Sequence, residues 1–157
     1  MDIRSAEVRD IPEILELLRQ VGRVHHEGRP DIFLHNAQKY DAAQVKSLLG
    51  NPHMPIFVAV EERVLGYCFC QMKIYDGDTV IADHKELYID DLCVHENCRG
   101  QRVGRGLFDY ARAYAKDQGC SAVTLNVWCC NPSAMGFYEK LGMKPQKIGM
   151  EMLLEDA

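Results

Sequence analysis

The chain has 157 residues, of which 47% are hydrophobic and 26% charged, and its formal net charge at pH 7 is −5. These values are ordinary for a soluble globular protein of one domain. The acidic balance argues against a nucleic-acid-binding protein, whose surface would be basic, and mildly favours a cationic substrate such as an amine. No apolar run approaches the ~20 residues that span a bilayer, and the N-terminus lacks a signal-peptide core. We therefore expect a cytoplasmic protein without a membrane segment.

The cysteine content, seven residues, is odd and rather high. Without an export signal, these residues are expected to be reduced thiols, several of them buried as small apolar side chains. A zinc site with four thiolate ligands would need paired Cys-x-x-Cys spacings, which the chain lacks. We therefore expect no metal.

The first half of the chain predicts a strand, two helices and a hairpin. Residues 3–6 form the strand, and Asp10 and Glu13 predict the start of a helix, with Asp10 as its N-cap and Gly22 as its end. Residues 25–33 are polar, aromatic and irregular, which is typical of either a solvated loop or one wall of an acceptor pocket. The remaining elements are a helix at 41–49, capped by Asp41 and Gln44, and two hairpin strands at 55–60 and 64–74.

The second half predicts a central strand at 86–94, a long helix that ends at Gly119 and a buried strand at 122–128. Asn131 and Pro132 begin a last helix, which ends at Gly142, and residues 147–154 are expected to close the sheet. No internal repeat or linker interrupts this order. The mixture predicts one α/β domain, residues 1–157, built on a single sheet.

Residues 88–110, YIDDLCVHENCRGQRVGRGLFDY, organise the rest of the chain. A strand leads into a turn rich in glycine and arginine, and a helix follows, with an apolar stripe that recurs every fourth residue from Val103 to Ala115. Free backbone N–H groups and the helix dipole at such a turn favour binding of a phosphate. A kinase-type phosphate loop is excluded because no Gly-Lys-Ser/Thr follows. Gly104 and Gly106 lack the third glycine of a dinucleotide-binding loop.

The turn resembles the pyrophosphate-binding segment of the GCN5-related N-acetyltransferases, the GNAT superfamily. Gln101-x-x-Gly104-x-Gly106 fits the pattern of that segment. A second register, which starts at Arg99, better matches the distance from the strand and places Arg102 where many members have the first glycine. The resemblance implies that the cofactor binds to this turn: Arg99, Gly100, Gln101, Arg102, Val103, Gly104, Arg105 and Gly106.

Residues 126–143 are similar to a second GNAT segment, which they match at Asn131, Ala134, Phe137, Tyr138, Gly142 and Met143. From the residues alone, Tyr138 is typical of a core aromatic and Asn131 of an N-cap. The resemblance implies that Tyr138 donates a proton to the coenzyme A thiolate as it leaves, and that Asn131 hydrogen-bonds the pantetheine arm. Ser133 is expected to join it in binding the cofactor.

The resemblance spans nearly the whole chain and implies a GNAT-like fold: a mostly antiparallel mixed sheet, splayed at the cofactor site, with about four helices. It implies acetyl-CoA as co-substrate and direct transfer of the acetyl group. The main-chain groups of Leu92, Cys93 and Val94 would pair with pantetheine, and the Leu92 N–H would stabilise the oxyanion. A covalent route through Cys93, Cys129 or Cys130 would need a thiolate activated by a base or a positive neighbour, and the sequence shows no such Cys/His pairing.

Three carboxylates are candidates for the base that takes the proton of the amine: Asp90, Asp91 and Glu86. The strand around them is similar to that of the diamine (spermidine/spermine) N-acetyltransferases, which carry Glu-Asp at this place, and on that basis we favour Asp90. Side chains alternate along a strand, so Asp90 and Asp91 are expected to face opposite sides of the sheet. Both could instead pair with nearby cations. The acceptor is expected to contact Arg29, Glu86, Asp90 and Trp128.

Three functions follow as hypotheses. The first is an acetyl-CoA-dependent N-acetyltransferase that acts on the primary amine of a small molecule. The second is an enzyme that acetylates an amino group of a protein or peptide, and the third is a regulatory module that binds acyl-CoA without turnover. A homodimer is expected from the resemblance, and neither a nucleic acid nor a membrane is expected as a partner.

Overall fold

The structure, a computed structural model, describes residues 1–100 and 102–154, so Gln101 and residues 155–157 lie outside it. The chain divides into two compact units, Met1–Asn126 and Val127–Ala157. In the described residues, the first unit holds five strands and three α-helices, and the second holds one α-helix. The elements are β1 (Asp2–Ser5), α1 (Ile11–Gly28), α2 (Ala42–Leu48), β2 (Ile56–Glu61), β3 (Arg63–Tyr75), β4 (His84–Val94), α3 (Val103–Asp117), β5 (Ala122–Leu125) and α4 (Pro132–Lys140).

The strands form one sheet in the order β1-β2-β3-β4-β5. The first four strands are antiparallel neighbours, whereas β4 and β5 run parallel and pair only from Glu86 with Ala122 to Ile89 with Leu125. This confirms the predicted mixed α/β fold with a mostly antiparallel sheet. The prediction that the last of these strands continues to residue 128 is wrong, because the ladder ends where β4 changes its register.

Helices cover both faces of the sheet in the first unit. On one face, α1 and α2 bury an apolar cluster that includes Leu17, Val45 and Phe69. On the other face, Phe57 of β2 lies edge-on against Tyr110 and Tyr114 of α3, with ring centroids 4.9 and 5.2 Å away. The central strand β3 therefore carries a near-continuous apolar run, as expected for a strand that is covered on both sides.

Helix α1 continues past Gly22 to Gly28, so the prediction that Gly22 ends the helix is wrong. Gly22 is buried, and a Cβ atom there would lie only 2.0 Å from the carbonyl oxygen of Ala37. Glycine therefore allows the segment between α1 and α2 to cross the helix closely, which outweighs its low helix propensity. As a consequence, residues 25–28 belong to the helix and not to a loop.

Helix α1 starts after Asp10, its N-cap residue, as predicted, but the predicted capping hydrogen bonds are not formed. The Asp10 side chain makes no cap hydrogen bond within α1. It accepts hydrogen bonds from Arg4, at 2.7 and 3.0 Å, and from the Glu7 N–H at 2.8 Å. Glu13 accepts a hydrogen bond from the Val64 N–H and so ties α1 to β3. The predicted capping box of α2 is confirmed, since Asp41 and Gln44 exchange hydrogen bonds of 2.8 Å.

Residues 147–154 form no strand, so the prediction that they close the sheet is wrong. Their alternating apolar residues have the period of a strand, but a strand also needs a neighbour for its main-chain groups. The large apolar side chains of this segment are exposed: Ile148, Met150, Met152, Leu153 and Leu154. Of the helices that the structure describes, none combines the length and the hydropathy that a membrane span would need.

Candidate functional site

A β-bulge at Asp90 shapes the middle of β4. Phe69 of β3 lies opposite Asp91, whereas the next residue, Cys70, lies opposite Ile89, so Asp90 is the extra residue. The bulge resets the alternation of side chains along the strand. Asp91 contacts Tyr67, Asp90 contacts Tyr40, and Tyr40 stacks on Phe69 on the same side of the sheet. The prediction that the two carboxylates face opposite sides is therefore wrong, and both face α1 and α2.

Beyond the bulge, the edge of β4 has no partner from β5, whose pairing ends with Ile89 and Leu125. The N–H of His95 donates to the carbonyl of Leu65 of β3, at 2.7 Å. Since main-chain groups alternate in direction along a strand, those of Leu92 and Val94 point away from β3. On this edge β5 leaves the main-chain groups of Leu92 and Val94 unpaired, and the Leu92 N–H also lowers the pKa of the Asp91 carboxylate through a backbone hydrogen bond.

Cys93 differs from its neighbours in this stretch. By the same alternation its main-chain groups point toward β3, and its thiol is buried 3.7 Å from the Leu17 carbonyl. Burial, with the nearby Asp91 carboxylate as the second cause, raises the pKa of the Cys93 thiol to about 12. The thiol is therefore protonated at neutral pH and unsuited to act as a nucleophile.

The N-terminus of α3 follows β4 after a short 3₁₀ turn. The Gly106 N–H donates to the Arg102 carbonyl at 3.0 Å, a hydrogen bond of the first turn of the helix. The N–H groups of Val103, Gly104 and Arg105 precede it, in the turn where a helix offers no internal acceptor. With the positive end of the helix dipole, these groups form an environment suited to an anion.

The arginines of the turn supply positive charge to the same place. Arg99 and Arg102 are exposed, and Arg105 lies 3.7 Å from Asp109 of the next turn of the helix. Arg102 is the N-cap and has a φ of 62°, a left-handed conformation that favours glycine. Gly100 also has a positive φ, of 85°.

The other predicted residues of this turn have separate explanations or lie outside the described residues. A Cβ atom on Gly106 would lie 3.0 Å from the Ile3 side chain, so the packing of β1 against α3 explains this glycine. Gln101 belongs to the part of the chain that the structure does not describe.

Two residues of the segment between α1 and α2 hydrogen-bond to the Asp90 carboxylate. The Lys39 ammonium donates to Asp90 Oδ2 at 2.7 Å, and the Tyr40 hydroxyl donates to the same oxygen at 3.3 Å. Glu86 lies farther along β4, where it accepts a hydrogen bond of 3.4 Å from Tyr75 and lies 3.8 Å from the His84 ring. The structure therefore brings Asp90 and Asp91 together and places Glu86 in a separate set of contacts.

The Asp91 carboxylate lies deeper than Asp90 and accepts a hydrogen bond of 2.5 Å from the Tyr67 hydroxyl. Burial raises the pKa of Asp91 to about 6, although the hydrogen bond from Tyr67 and the charge of Lys39 act in the opposite direction. Burial, followed by the charge of Asp91, also raises the pKa of the Tyr67 hydroxyl well above its usual value. Tyr67 therefore remains a hydrogen-bond donor, and Asp91 can exchange a proton near neutral pH.

The remaining predicted residues lie away from this carboxylate pair or in the second unit. Arg29 ends α1 and pairs with Asp31 at 2.8 Å. In the second unit, the Asn131 side chain caps α4 by accepting a hydrogen bond of 3.2 Å from the Ala134 N–H. Tyr138 lies on α4, half-buried and edge-on to Phe137, while Trp128 and Ser133 are exposed residues before and in this helix.

Sequence reasoning missed Lys39, Tyr40 and Tyr67, which hold the two carboxylates. Tyr67 alternates with Phe69 in an apolar strand, a pattern that predicts burial but no partner. Lys39 and Tyr40 precede the cap of α2 and meet Asp90 across about fifty positions of sequence, as the separation of 51 residues for Lys39 shows. No local pattern signals such a contact.

The sequence of the chain also matches a known protein family. The model of the acetyltransferase (GNAT) family matches residues 13–143. The chain belongs to this family. The predicted resemblance to the GNAT superfamily is thereby confirmed.

Among solved structures, the GNAT chain is similar to a mutant of the BH1408 protein from Bacillus halodurans, with 32% identity and a TM-score of 0.94 over 99% of this chain and 100% of that one. Thialysine N-epsilon-acetyltransferase from Bos taurus is 25% identical over 89% of this chain and 82% of its own length. N-alpha-acetyltransferase 30 from Schizosaccharomyces pombe is 30% identical over 55% of each chain. The chain spans 61% of the length of a relative from Bacillus subtilis and 55% of the length of the relative from Schizosaccharomyces pombe. It therefore covers little more than half of these two curated relatives.

Proposed function

We propose that the protein is an acetyl-CoA-dependent N-acetyltransferase that transfers an acetyl group directly to the primary amine of a small molecule. The observation that carries this proposal is the free edge of β4 beyond Ile89, which leads into the N-terminus of α3. The unpaired main-chain groups of β4 and the N-terminus of α3, which is suited to an anion, lie within about fifteen residues of each other in the sequence. An amide-containing arm that ends in a diphosphate matches both features.

The residues present fit such a co-substrate. The main-chain groups of Leu92 and Val94 would hold the pantetheine arm, and the amides of residues 103–105 with Arg99 and Arg102 would hold the diphosphate. The left-handed conformation of Arg102 favours the register that starts at Arg99, because that register places Arg102 where the family's first glycine stands. Acetyl-CoA supplies the activated acetyl group as a thioester.

The carboxylate pair supports an amine as the acceptor. The sequence favoured Asp90 as the base, but the pKa of Asp91, near 6, is better matched to accept a proton at pH 7, so this proposal assigns the base to Asp91. Asp90 would hold the acceptor's ammonium. The neutral nitrogen then forms a bond to the acetyl carbon while the bond from carbon to sulfur breaks. In this proposal the Leu92 N–H stabilises the developing oxyanion, and Tyr138 returns a proton to the sulfur.

A small molecule is favoured over a protein as the acceptor. The relative from Bos taurus that is named for thialysine, an amine of small size, matches most of this chain. We further propose that residues 1–157 act as one N-acetyltransferase domain, since the family match crosses both units. A cytoplasmic location is consistent with seven free cysteines, and a homodimer with the exposed apolar side chains of residues 147–154.

Two measurements test this function. Titration calorimetry with acetyl-CoA should show binding with a dissociation constant of about 1 μM to 1 mM, the range of common Michaelis constants. A thiol-release assay over polyamines, amino acids, aminoglycosides and N-terminal peptides should then identify an acceptor amine. Binding without release of thiol for any amine would instead favour a regulatory module, and absence of binding would contradict the proposal.

A further inference from the structure

Lys39 occupies the carboxylate to which the proposed acceptor amine would bind. Its ammonium lies 2.7 Å from Asp90 Oδ2, and it reaches this oxygen from the exposed segment between α1 and α2. A lysine side chain ends in a primary ammonium, the same group that the proposed function assigns to the substrate. The contact therefore presents the geometry of an enzyme–amine complex, with the chain's own lysine in place of the substrate.

The Asp90 carboxylate does not need Lys39 to stay in position. Asp90 is the extra residue of a bulge within a paired strand, and the Tyr40 hydroxyl also donates to Asp90 Oδ2. Tyr40 is fixed in turn by its stack on Phe69, with ring centroids 5.4 Å apart. If Lys39 leaves, Asp90 keeps both its backbone position and one of its hydrogen bonds.

Lys39 can leave by rotation of its own side chain. About half of that side chain is exposed, 47%, whereas Asp90 is 19% exposed. The backbone on either side is held independently, by the close approach of Ala37 to Gly22 and by the cap of Asp41 on α2. Displacement therefore requires new side-chain torsions, hydration of the ammonium and loss of its contact with the Tyr40 ring, whose centroid lies 5.8 Å away. Partly exposed ion pairs of this kind offer little resistance.

We infer that Lys39 is an internal competitor of the acceptor amine at Asp90, which raises the amine concentration that the site requires and selects for amines able to displace it. This inference rests on the proposed function, and it adds a specificity-determining residue to it. Amines with a second cation should compete best, since they can use both Asp90 and Asp91 at once.

The test compares Lys39→Met with two matched variants. Methionine keeps the length and apolar stem of the side chain and removes its charge. Lys39→Arg keeps the charge on the same stem, and Lys46→Met makes the same change in net charge at an exposed position of α2. Binding of 1,4-diaminobutane is measured by calorimetry, and its Michaelis constant is measured by thiol release with saturating acetyl-CoA.

Lys39→Met is expected to bind 1,4-diaminobutane about three- to tenfold more tightly and to lower its Michaelis constant by the same factor, the range of a partly exposed ion pair. Lys46→Met should stay within about twofold of the wild type. In an Asp90→Asn background, the gain from Lys39→Met should vanish, because the competitor has no carboxylate left to occupy.

Weaker binding or a lower kcat in Lys39→Met would show that Lys39 supports acceptor binding or catalysis, and would overturn the inference. An unchanged affinity, a gain that persists in Asp90→Asn, or no binding of the diamine to any variant would overturn it as well. If the wild type acetylates an amine while Lys39→Met behaves like it, only this inference fails. If 1,4-diaminobutane binds more tightly to Lys39→Met but no amine is acetylated, the proposed function fails and the competition stands.

Discussion

Asp91 and Asp90 are neighbours in sequence, but their surroundings give them different chemistry. Asp91 is half-buried and accepts a hydrogen bond from the Tyr67 hydroxyl, while Asp90 is paired with Lys39. Burial disfavours the charged form of Asp91 and raises its pKa to about 6. The pair thus combines a carboxylate that holds a cation with one that can take up a proton, an arrangement suited to an amine substrate.

The raised pKa of Asp91 has a consequence for stability. Between the usual value of 3.8 and about 6, the unfolded chain loses this proton while the folded chain keeps it. The free energy of unfolding should therefore fall, by roughly 3 kcal/mol, as pH rises through this window and then level off. Asp91→Asn, which keeps an acceptor for Tyr67, should remove this contribution when urea denaturation curves are compared from pH 4 to pH 8.

An exposed carboxylate of the β3–β4 turn provides the control for that experiment. Asp76→Asn removes one charge without altering the buried pair, so its stability should follow the wild-type pH dependence. If Asp91→Asn also follows the wild-type curve, the folded chain does not hold a proton on Asp91 in this pH range.

At the scale of single elements, the N-terminus of α3 carries a strained residue where its ligand is expected. Arg102 has a φ of 62°, and side chains other than glycine avoid this conformation. Strain of this kind persists where surrounding structure or a functional demand maintains it. An arginine here lowers stability through backbone strain, but it adds positive charge next to the first free amides of the helix.

Two substitutions at Arg102 separate the effect of strain from that of charge. Arg102→Gly and Arg102→Ala remove the same charge, but only glycine adopts the left-handed conformation without cost. Arg102→Gly should therefore be more stable to urea than Arg102→Ala by about 1 kcal/mol. Both variants should bind acetyl-CoA several-fold more weakly than the wild type in calorimetry. Equal stabilities would contradict the backbone argument, and unchanged affinity would remove Arg102 from the cofactor site.

At the scale of the whole molecule, residues 147–154 expose a row of large apolar side chains. Met150 is 92% exposed and Met152 is 84% exposed, values that are uncommon for a contiguous set on a monomer. Such a segment lowers its free energy when a second copy covers it. This exposure supports the proposed homodimer, and we propose that residues 147–154 form its contact.

The dimer can be tested by light scattering coupled to size exclusion. The wild type should have twice the chain mass of 17.9 kDa, and Met150→Glu with Met152→Glu should reduce it to 17.9 kDa, because charges would be buried without partners. Val80→Glu is the control, since it changes an equally exposed apolar residue outside the segment. A monomeric wild type at concentrations of about 50 μM would contradict the proposal, because stable interfaces bind more tightly than this.

The local pattern of residues determined the family and the order of most elements. It did so because strand period, capping residues and glycine positions act over a few neighbours, as the confirmed box of Asp41 and Gln44 illustrates. The pattern misplaced the end of α1 at Gly22, since the close approach of Ala37 comes from a segment that only the folded chain brings there.

Tertiary structure alone decided which side chains share the site. The bulge at Asp90 depends on pairing with β3 and turns two consecutive carboxylates to one side of the sheet. Lys39 reaches Asp90 from a segment 51 residues away in sequence. Tyr67 on β3 reaches Asp91 on the neighbouring strand β4. Such contacts depend on where separate elements meet in space, and a pattern read along the chain holds no information about that distance.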